Sequence, residues 1–382
     1  MSHSPTSIRI AIIATGARAR VVVDHLLEQA GDRVMIGAVY DPNQERAQRA
    51  LEHWGAPQSA LCESYEGAIE MEGVSWVFVF SPNVFHKTHI MHAFGTGRHV
   101  FAEKPLATSI EDCQALHEAH GESGVSFSTG FVLRYAPIYR KAHEILSSGV
   151  LGQILSIQAS ENITPAHGGY IFRNWRRHSE MAGSHLLEKC CHDLDLLNWF
   201  TGSLPSQVAG FADRDFFHES NKGLTEKYGG ETFMKWPDPD ARGTPFDGDT
   251  DLLDTHACVL KYRNGIKVTF QATTSNVMPE RRMYFSCTEG TLILEVYSGL
   301  LTWQRLSDPE PHQLTLKDGL HGGGDSVIMK ELLETMEKGI TPRCSGREGL
   351  DSAVVALGLD EAIASGSAVD LEPVWKRLGR NT

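Results

Sequence analysis

The chain has 382 residues, which at roughly 150 residues per domain suits two domains rather than one. Hydrophobic residues make up 41% and charged residues 22%, a balance that buries real cores and excludes a disordered chain. The formal charge of -13, from 35 Lys and Arg against 48 Asp and Glu, argues against broad-surface binding to nucleic acid or anionic membrane. The cysteines are odd in number and form no CxxC pair, which points away from a disulfide framework and toward a reducing compartment. The opening MSHSPTS lacks the apolar core of a secretion signal, and no apolar run approaches the roughly 20 residues that span a bilayer. A cytoplasmic location is expected.

Along the first part of the chain, strand-length apolar runs alternate with amphipathic segments. The strands are Ile8 to Ile13, Val34 to Tyr40, Val74 to Phe80, His99 to Glu103 and Val125 to Phe131. Helical patterns fall at Val21 to Ala30, Gln44 to Trp54, Thr88 to Thr96 and Ser109 to Ser123. Such alternation predicts βαβ units and a parallel sheet covered on both faces. After Tyr135 the rhythm changes: helices over Pro137 to Ser148 and Ser184 to Phe200 flank a strand over Gln153 to Glu161 and a Gly/Arg/aromatic loop. Then THACVLKY, GIKVTFQATTS, RRMYFSC, TLILEVY and LLTWQRL, separated by NG, EG and SG turns, predict an antiparallel sheet. Asp325 to Lys338 and Arg347 to Ser365 read as closing helices, and Asp213 to Asp251 as a long loop or insertion. The expected fold class is α/β, with an N-terminal domain over 1–134 on a parallel sheet and a C-terminal domain over 135–382 on a mostly antiparallel open sheet.

The first strand runs into Ala14-Thr15-Gly16-Ala17-Arg18-Ala19. A dinucleotide fingerprint wants glycine at the first, third and sixth places, and only the middle one, Gly16, is glycine here. That is the place where backbone must approach a pyrophosphate closely, so Thr15, Gly16, Ala17 and Arg18 are candidate cofactor residues. Asp41 ends the second strand, where a carboxylate accepts from the ribose hydroxyls of NAD and repels the 2′-phosphate of NADP. The plainer reading is an Asp-Pro-Asn turn, and Arg46 and Arg49 on the next helix weaken the preference for NAD. Ser81, Pro82, Asn83 and His86 follow the third strand at the carboxyl edge of the sheet, where ligands bind in open α/β folds. Glu103-Lys104-Pro105 ends the fourth strand. There a lysine suits a hydrogen-bond donor to a reacting oxygen, although an isolated EKP is equally a surface ion pair beside a turn.

Taken together, the glycine-poor first turn, Ser81-Pro82-Asn83 with His86, GRHVFAEKPLA (Gly97 to Ala107), GFVLRYAP (Gly130 to Pro137) and EKCCHDLDLLNW (Glu188 to Trp199) resemble the Gfo/Idh/MocA oxidoreductase family. HGGGD (His321 to Asp325) is similar to a feature of many sugar-directed members. The resemblance implies a Rossmann domain, then an α/β domain whose open sheet serves a homodimer or homotetramer. It maps a catalytic lysine onto Lys104 and a catalytic histidine onto His192. Glu188 stands where the family often has aspartate, and the i, i+4 spacing predicts that Glu188 and His192 share one helical face. His192 is then the base for the hydroxyl proton of a secondary alcohol, Lys104 steadies the charged oxygen, and Glu188 is the third catalytic candidate, while Glu103 and Lys104 also count among the cofactor-binding candidates. Arg134, Tyr170, Trp175 and Arg176, with Glu188 and His192, are the substrate-binding candidates. Asp195 reads as a structural hydrogen-bonding group. Adjacent Cys190 and Cys191 point about 100° apart on a helix, so a shared ion with His192 is not expected, and no metal is assigned.

The function these residues imply is NAD-dependent hydride transfer to or from a secondary alcohol of a sugar, an inositol or a related polyol, with NADP the lesser cofactor. Two other readings stand beside it: an NAD-dependent glycosidase using transient oxidation, and a non-catalytic nicotinamide-binding regulator.

Overall fold

Five apolar runs assemble into a parallel sheet in the order β2-β1-β3-β4-β5, with β1 Ile8–Ile13, β2 Val34–Tyr40, β3 Val74–Val79, β4 His99–Ala102 and β5 Phe127–Thr129. Ile10 to Ile13 and Val77 to Val79 are fully buried, as strands flanked by helices on both faces must be. The computed structural model describes residues 7–236, 243–316 and 323–381. The chain divides into two units, the first comprising the sequence up to Tyr135 together with Gly323–Leu350, and the second the remainder.

Three helices of the first unit carry side-chain caps. The side chains of Asn43, Ser64 and Ser109 accept from backbone N–H groups at the starts of helices Gln44–Trp54, Tyr65–Glu70 and Ile110–Ser123, each worth about 1 kcal/mol. Helix Tyr65–Glu70 has no counterpart in the sequence expectation, being too short to show a period. Gly323–Leu350, left in the second domain by the sequence reading, belongs to the first unit. Its helix Gly324–Lys338 buries Ile328, Met329, Leu332 and Leu333 and packs on helix Ala17–Ala30. Tyr135 Oη donates to Glu331 of that helix at 2.5 Å, and Thr129 N donates to Cys344 O at 2.9 Å. The apolar stripe of the helix was legible, but not which surface it would cover. His321 and Gly322 lie outside the described residues.

The second unit is built on nine strands in the order β13-β12-β11-β10-β6-β9-β8-β7-β14. They are β6 Ile154–Asn162, β7 Pro205–Asp213, β8 Thr255–Tyr262, β9 Lys267–Thr273, β10 Glu280–Cys287, β11 Gly290–Glu295, β12 Leu300–Arg305, β13 His312–Thr315 and β14 Val369–Asp370. All neighbours are antiparallel except β6 and β9, the parallel pair at the centre. Along β8 every second residue (His256, Cys258, Leu260, Tyr262) is buried, so one face is covered and the other open. On the covered face Phe200 of helix Cys191–Thr201 meets Phe285 of β10 edge-on, with ring centroids 5.0 Å apart.

Two expectations change here. The helix expected over Ser184 to Phe200 is two helices, His185–Glu188 and Cys191–Thr201, interrupted at Lys189 and Cys190. Asp213 to Asp251 is not a bare loop in its described part: it contains helix Gly223–Tyr228 and contributes Phe217, Phe233 and Phe246 to a buried cluster with Ile163, Ile171, Phe172 and Leu252. Asp254 anchors its start, accepting from the backbone N–H groups of Asp215, Phe216 and Phe217 at 2.7–3.0 Å. Residues 237–242 of that stretch lie outside the described residues. No helix among the described residues is long and apolar enough to cross a membrane.

Candidate functional site

In the first unit, the strand order reverses between β1 and β3, and the loops after these two strands flank the crevice where open α/β sheets take their ligands. The turn after β1 begins with Ala14 at φ +68°, the left-handed region, and it is the only non-glycine residue with positive φ among the described residues. This explains the first glycine of the fingerprint and marks what alanine costs there. Gly16 then starts helix Ala17–Ala30 with no side-chain cap and no acidic residue in the first turn. No atom lies within 4 Å of the point where a Cβ of Gly16 would sit. Open backbone N–H groups at an uncapped helix start form an anion site, and the space at Gly16 fits a diphosphate against the backbone.

Asp41 is buried beside this turn. Its Oδ2 accepts from Thr15 N at 2.8 Å and from Thr15 Oγ1 at 3.0 Å, and its Oδ1 accepts from Asn43 N at 2.9 Å. Three of the roughly four acceptor positions of a carboxylate are thus used within the protein. Thr15 therefore serves Asp41 with its side chain, and Arg46 stands 3.9 Å from the same carboxylate.

Arg18 turns away from an anion role as well. Its Nε donates to Glu103 Oε1 at 2.6 Å and its Nη1 meets Asp325 Oδ1 at 2.6 Å, so the first helix, the end of β4 and helix Gly324–Lys338 meet in one ion triad. Glu103 Oε2 accepts from Lys104 N at 3.2 Å. Gly130 makes room for that carboxylate, since a Cβ there would lie 2.8 Å from Glu103 Oε1. Glu103 thus shapes the turn carrying Lys104, whose bond to Pro105 is cis.

His86 was expected at the cofactor, but its ring is buried with Nδ1 2.7 Å from Pro105 O and Nε2 2.7 Å from Ser81 O. Both nitrogens face carbonyl oxygens, to one of which a neutral ring donates, and the side chain lies between the Ser81 turn and the Lys104-Pro105 turn. Burial pulls its pKa down against the pull of the two carbonyls. Ser81 Oγ is 3.0 Å from His89 Nδ1, and Asn83 is buried. Pro82 begins the short turn Asn83–Phe85.

In the second unit, four substrate candidates come together. The Arg176 guanidinium lies over the Trp175 ring at 4.3 Å and the Tyr170 ring at 4.9 Å, while its Nε donates to Glu188 Oε1 at 2.8 Å. Cation–π contacts of this kind contribute about 0.5–2 kcal/mol each. His192 is buried in the first turn of helix Cys191–Thr201. Lys189 and Cys190 interrupt the helix between Glu188 and His192, and Glu188 reaches Arg176. Arg134 lies half-buried in the turn Val132–Tyr135 of the first unit.

The sequence reading missed a buried charge network behind His192. Arg281 on β10 makes a two-pronged contact to Asp193, at 2.9 and 2.6 Å, and stands 3.7 Å from Glu161 on β6, which also meets Lys189 at 3.0 Å. Burial pushes the Asp193 carboxyl up, against the downward pull of Arg281. Glu161 and Arg281 are register partners across two neighbouring strands but distant in sequence, so no local signal pairs them. Asp195 is buried on the same helix.

The chain belongs to the Gfo/Idh/MocA oxidoreductase family: residues 8–131 match its NAD-binding Rossmann fold and residues 139–293 its C-terminal domain. The first unit is accordingly an NAD-binding Rossmann domain. Among relatives, the 2,7-anhydro-N-acetylneuraminate hydratase of Escherichia coli is 32% identical over 46% of this chain and 45% of its own. The inositol 2-dehydrogenase of Gluconacetobacter diazotrophicus is 30% identical over 50% of this chain and 54% of its own. The chain thus spans about half the length of these relatives. A levoglucosan dehydrogenase solved with NADH and levoglucosan has the same fold, with a TM-score of 0.79 and 17% identity over 96% of this chain and 100% of that one.

Proposed function

We propose that the protein transfers hydride between NAD and a secondary alcohol of a sugar, an inositol or a related polyol. The observation that carries this reading is the wall of Tyr170, Trp175 and Arg176 held by Glu188, an aromatic and charged surface suited to a hydroxylated ring. NAD, when bound, would supply the hydride acceptor, and the open helix start at Gly16 would hold its diphosphate. The Lys104 ammonium donates to the reacting oxygen and stabilises charge that builds there. A ring nitrogen of His192 takes the hydroxyl proton in oxidation and returns it in reduction. Glu188 acts through Arg176 as a positioning residue, and Arg134 binds substrate oxygens.

Asp41 at the end of β2 favours NAD over NADP. Asp41→Ala should narrow the ratio of kcat/KM values for the two cofactors, and an unchanged ratio would remove Asp41 from that role. Sugars, sugar acids and inositols incubated with NAD should include one that builds up NADH absorbance. Tight NADH binding with no turnover across such a panel would instead favour a regulator. A homodimer or homotetramer through the open sheet face, where Phe211 is 78% and Val259 52% exposed, is the expected assembly, read by light scattering.

A further inference from the structure

Three buried side chains of the second unit converge beneath the break between helices His185–Glu188 and Cys191–Thr201. They are Glu161 on β6, His185, and Cys190 at the N-cap of the second helix, and one ligand atom from each lies within 4.8 Å of the others. Cys190 Sγ is 3.8 Å from Glu161 Oε2. His185 is 1% exposed, yet among the described residues neither of its buried ring nitrogens has a hydrogen-bond partner. Leaving one buried polar group bare costs about 1–3 kcal/mol, so two on one ring demand an explanation. The parallel stack of His185 on His256 satisfies the ring faces, not the nitrogens. Burial lowers the pKa of the imidazole, which favours the ring form that offers a lone pair.

The surrounding charges leave one side of the cluster available. Lys189 and Arg281 address Glu161 through Oε1, at 3.0 and 3.7 Å, and Asp193 takes the charge of Arg281. Oε2 faces Cys190. We propose that Glu161, His185 and Cys190 form a binding site for a divalent ion of borderline softness, zinc being the best match. A carboxylate, an imidazole and a thiolate are the donor types that zinc accepts, whereas calcium and magnesium take oxygen ligands. Binding releases the Cys190 thiol proton to solvent, so the ion meets a thiolate and a carboxylate, with Lys189 remaining as a further positive charge on Glu161. Bonds of about 2.0–2.3 Å draw the three ligand atoms closer than their present spread, and a water fills the fourth position. The ion ties β6 to the helix break two residues before His192 and fixes where helix Cys191–Thr201 begins. The inference stands apart from the proposed substrate chemistry, because its readouts are metal content and spectra.

The full chain, purified without chelator under reducing conditions, should retain close to one zinc per chain by elemental analysis. Metal-free protein titrated with cobalt(II) should develop thiolate-to-cobalt charge-transfer absorption that saturates at one equivalent. Cys190→Ser and His185→Gln should lose that band while keeping the far-ultraviolet dichroism of the fold. Cys191→Ser should keep it, since the Cys191 thiol is directed at Glu188 O. A folded wild-type protein that shows no band and retains no metal overturns the site and leaves His185 to ordered water. A band that survives Cys190→Ser overturns it equally.

Discussion

Glu103→Gln tests whether the ion triad holds the lysine turn. The substitution keeps the shape over Gly130 and removes only the charge that Arg18 meets at 2.6 Å. A hydrogen bond between charged groups contributes about 1.5–3 kcal/mol, and stripping one partner from a fully buried pair costs about 3–5 kcal/mol. Arg18 is 25% exposed and keeps Asp325, which places the loss near the lower figure, about 2 kcal/mol. For a unit of this size that lowers the melting temperature by roughly 4–8 °C. Gly130→Ala approaches the same bond from the other side, its Cβ 2.8 Å from Glu103 Oε1, and should cost a similar amount. In the double variant the two losses should add to well under their sum, because one interaction is removed twice. Calorimetry with and without NAD reads these values, and NAD affinity should weaken in step because Glu103 Oε2 also holds Lys104 N. A Glu103→Gln melting point within about 1 °C of the parent, or full additivity, would refute the reasoning.

Ala14→Gly should stabilise the first unit by about 0.5–1 kcal/mol, relief of a left-handed alanine exceeding the extra chain entropy of glycine; a loss in chemical denaturation would contradict this. Burial pushes the Asp360 carboxyl up to about 7 against the hydrogen bond it accepts from Ser184 Oγ at 2.7 Å. The folded state therefore keeps a proton that the unfolded state loses near pH ~3.9, so stability falls as pH rises from about 4 to 7 and levels off above. After allowance for the partial exposure of Asp360, the fall amounts to about 2 kcal/mol. Asp360→Asn should abolish that slope and stabilise the protein at pH ~8, as urea unfolding at two pH values would reveal. His192→Ala should slow single-turnover hydride transfer by ~10²–10⁴ with NADH binding nearly intact, and an unchanged rate would take His192 out of the chemistry.

Much of the first unit was legible because its signals are local. Strand β1 and helix Gln44–Trp54 run over the residues expected of them, since apolar strands and side-chain caps act over a few residues. Gly16 and Asp41 were found by their places after successive strands. The split of the 184–200 helix was not legible: its apolar pattern runs unbroken through Lys189 and Cys190, and Lys189 is drawn toward Glu161 on β6. Nor were the partners of Arg18, Tyr135 and Arg281, each of which lies at least 85 residues away along the chain.

Sequence alone determined the two-part architecture, the family and the residue types available for redox chemistry, because periodicity, caps and short motifs are properties of neighbouring residues. Tertiary structure decided what each polar group meets: Glu103 meets Arg18, His86 lies between two carbonyls, Glu188 meets Arg176, and His185 has no partner among the described residues. Burial makes every such bond obligatory, and which groups are buried together is settled only when distant segments pack.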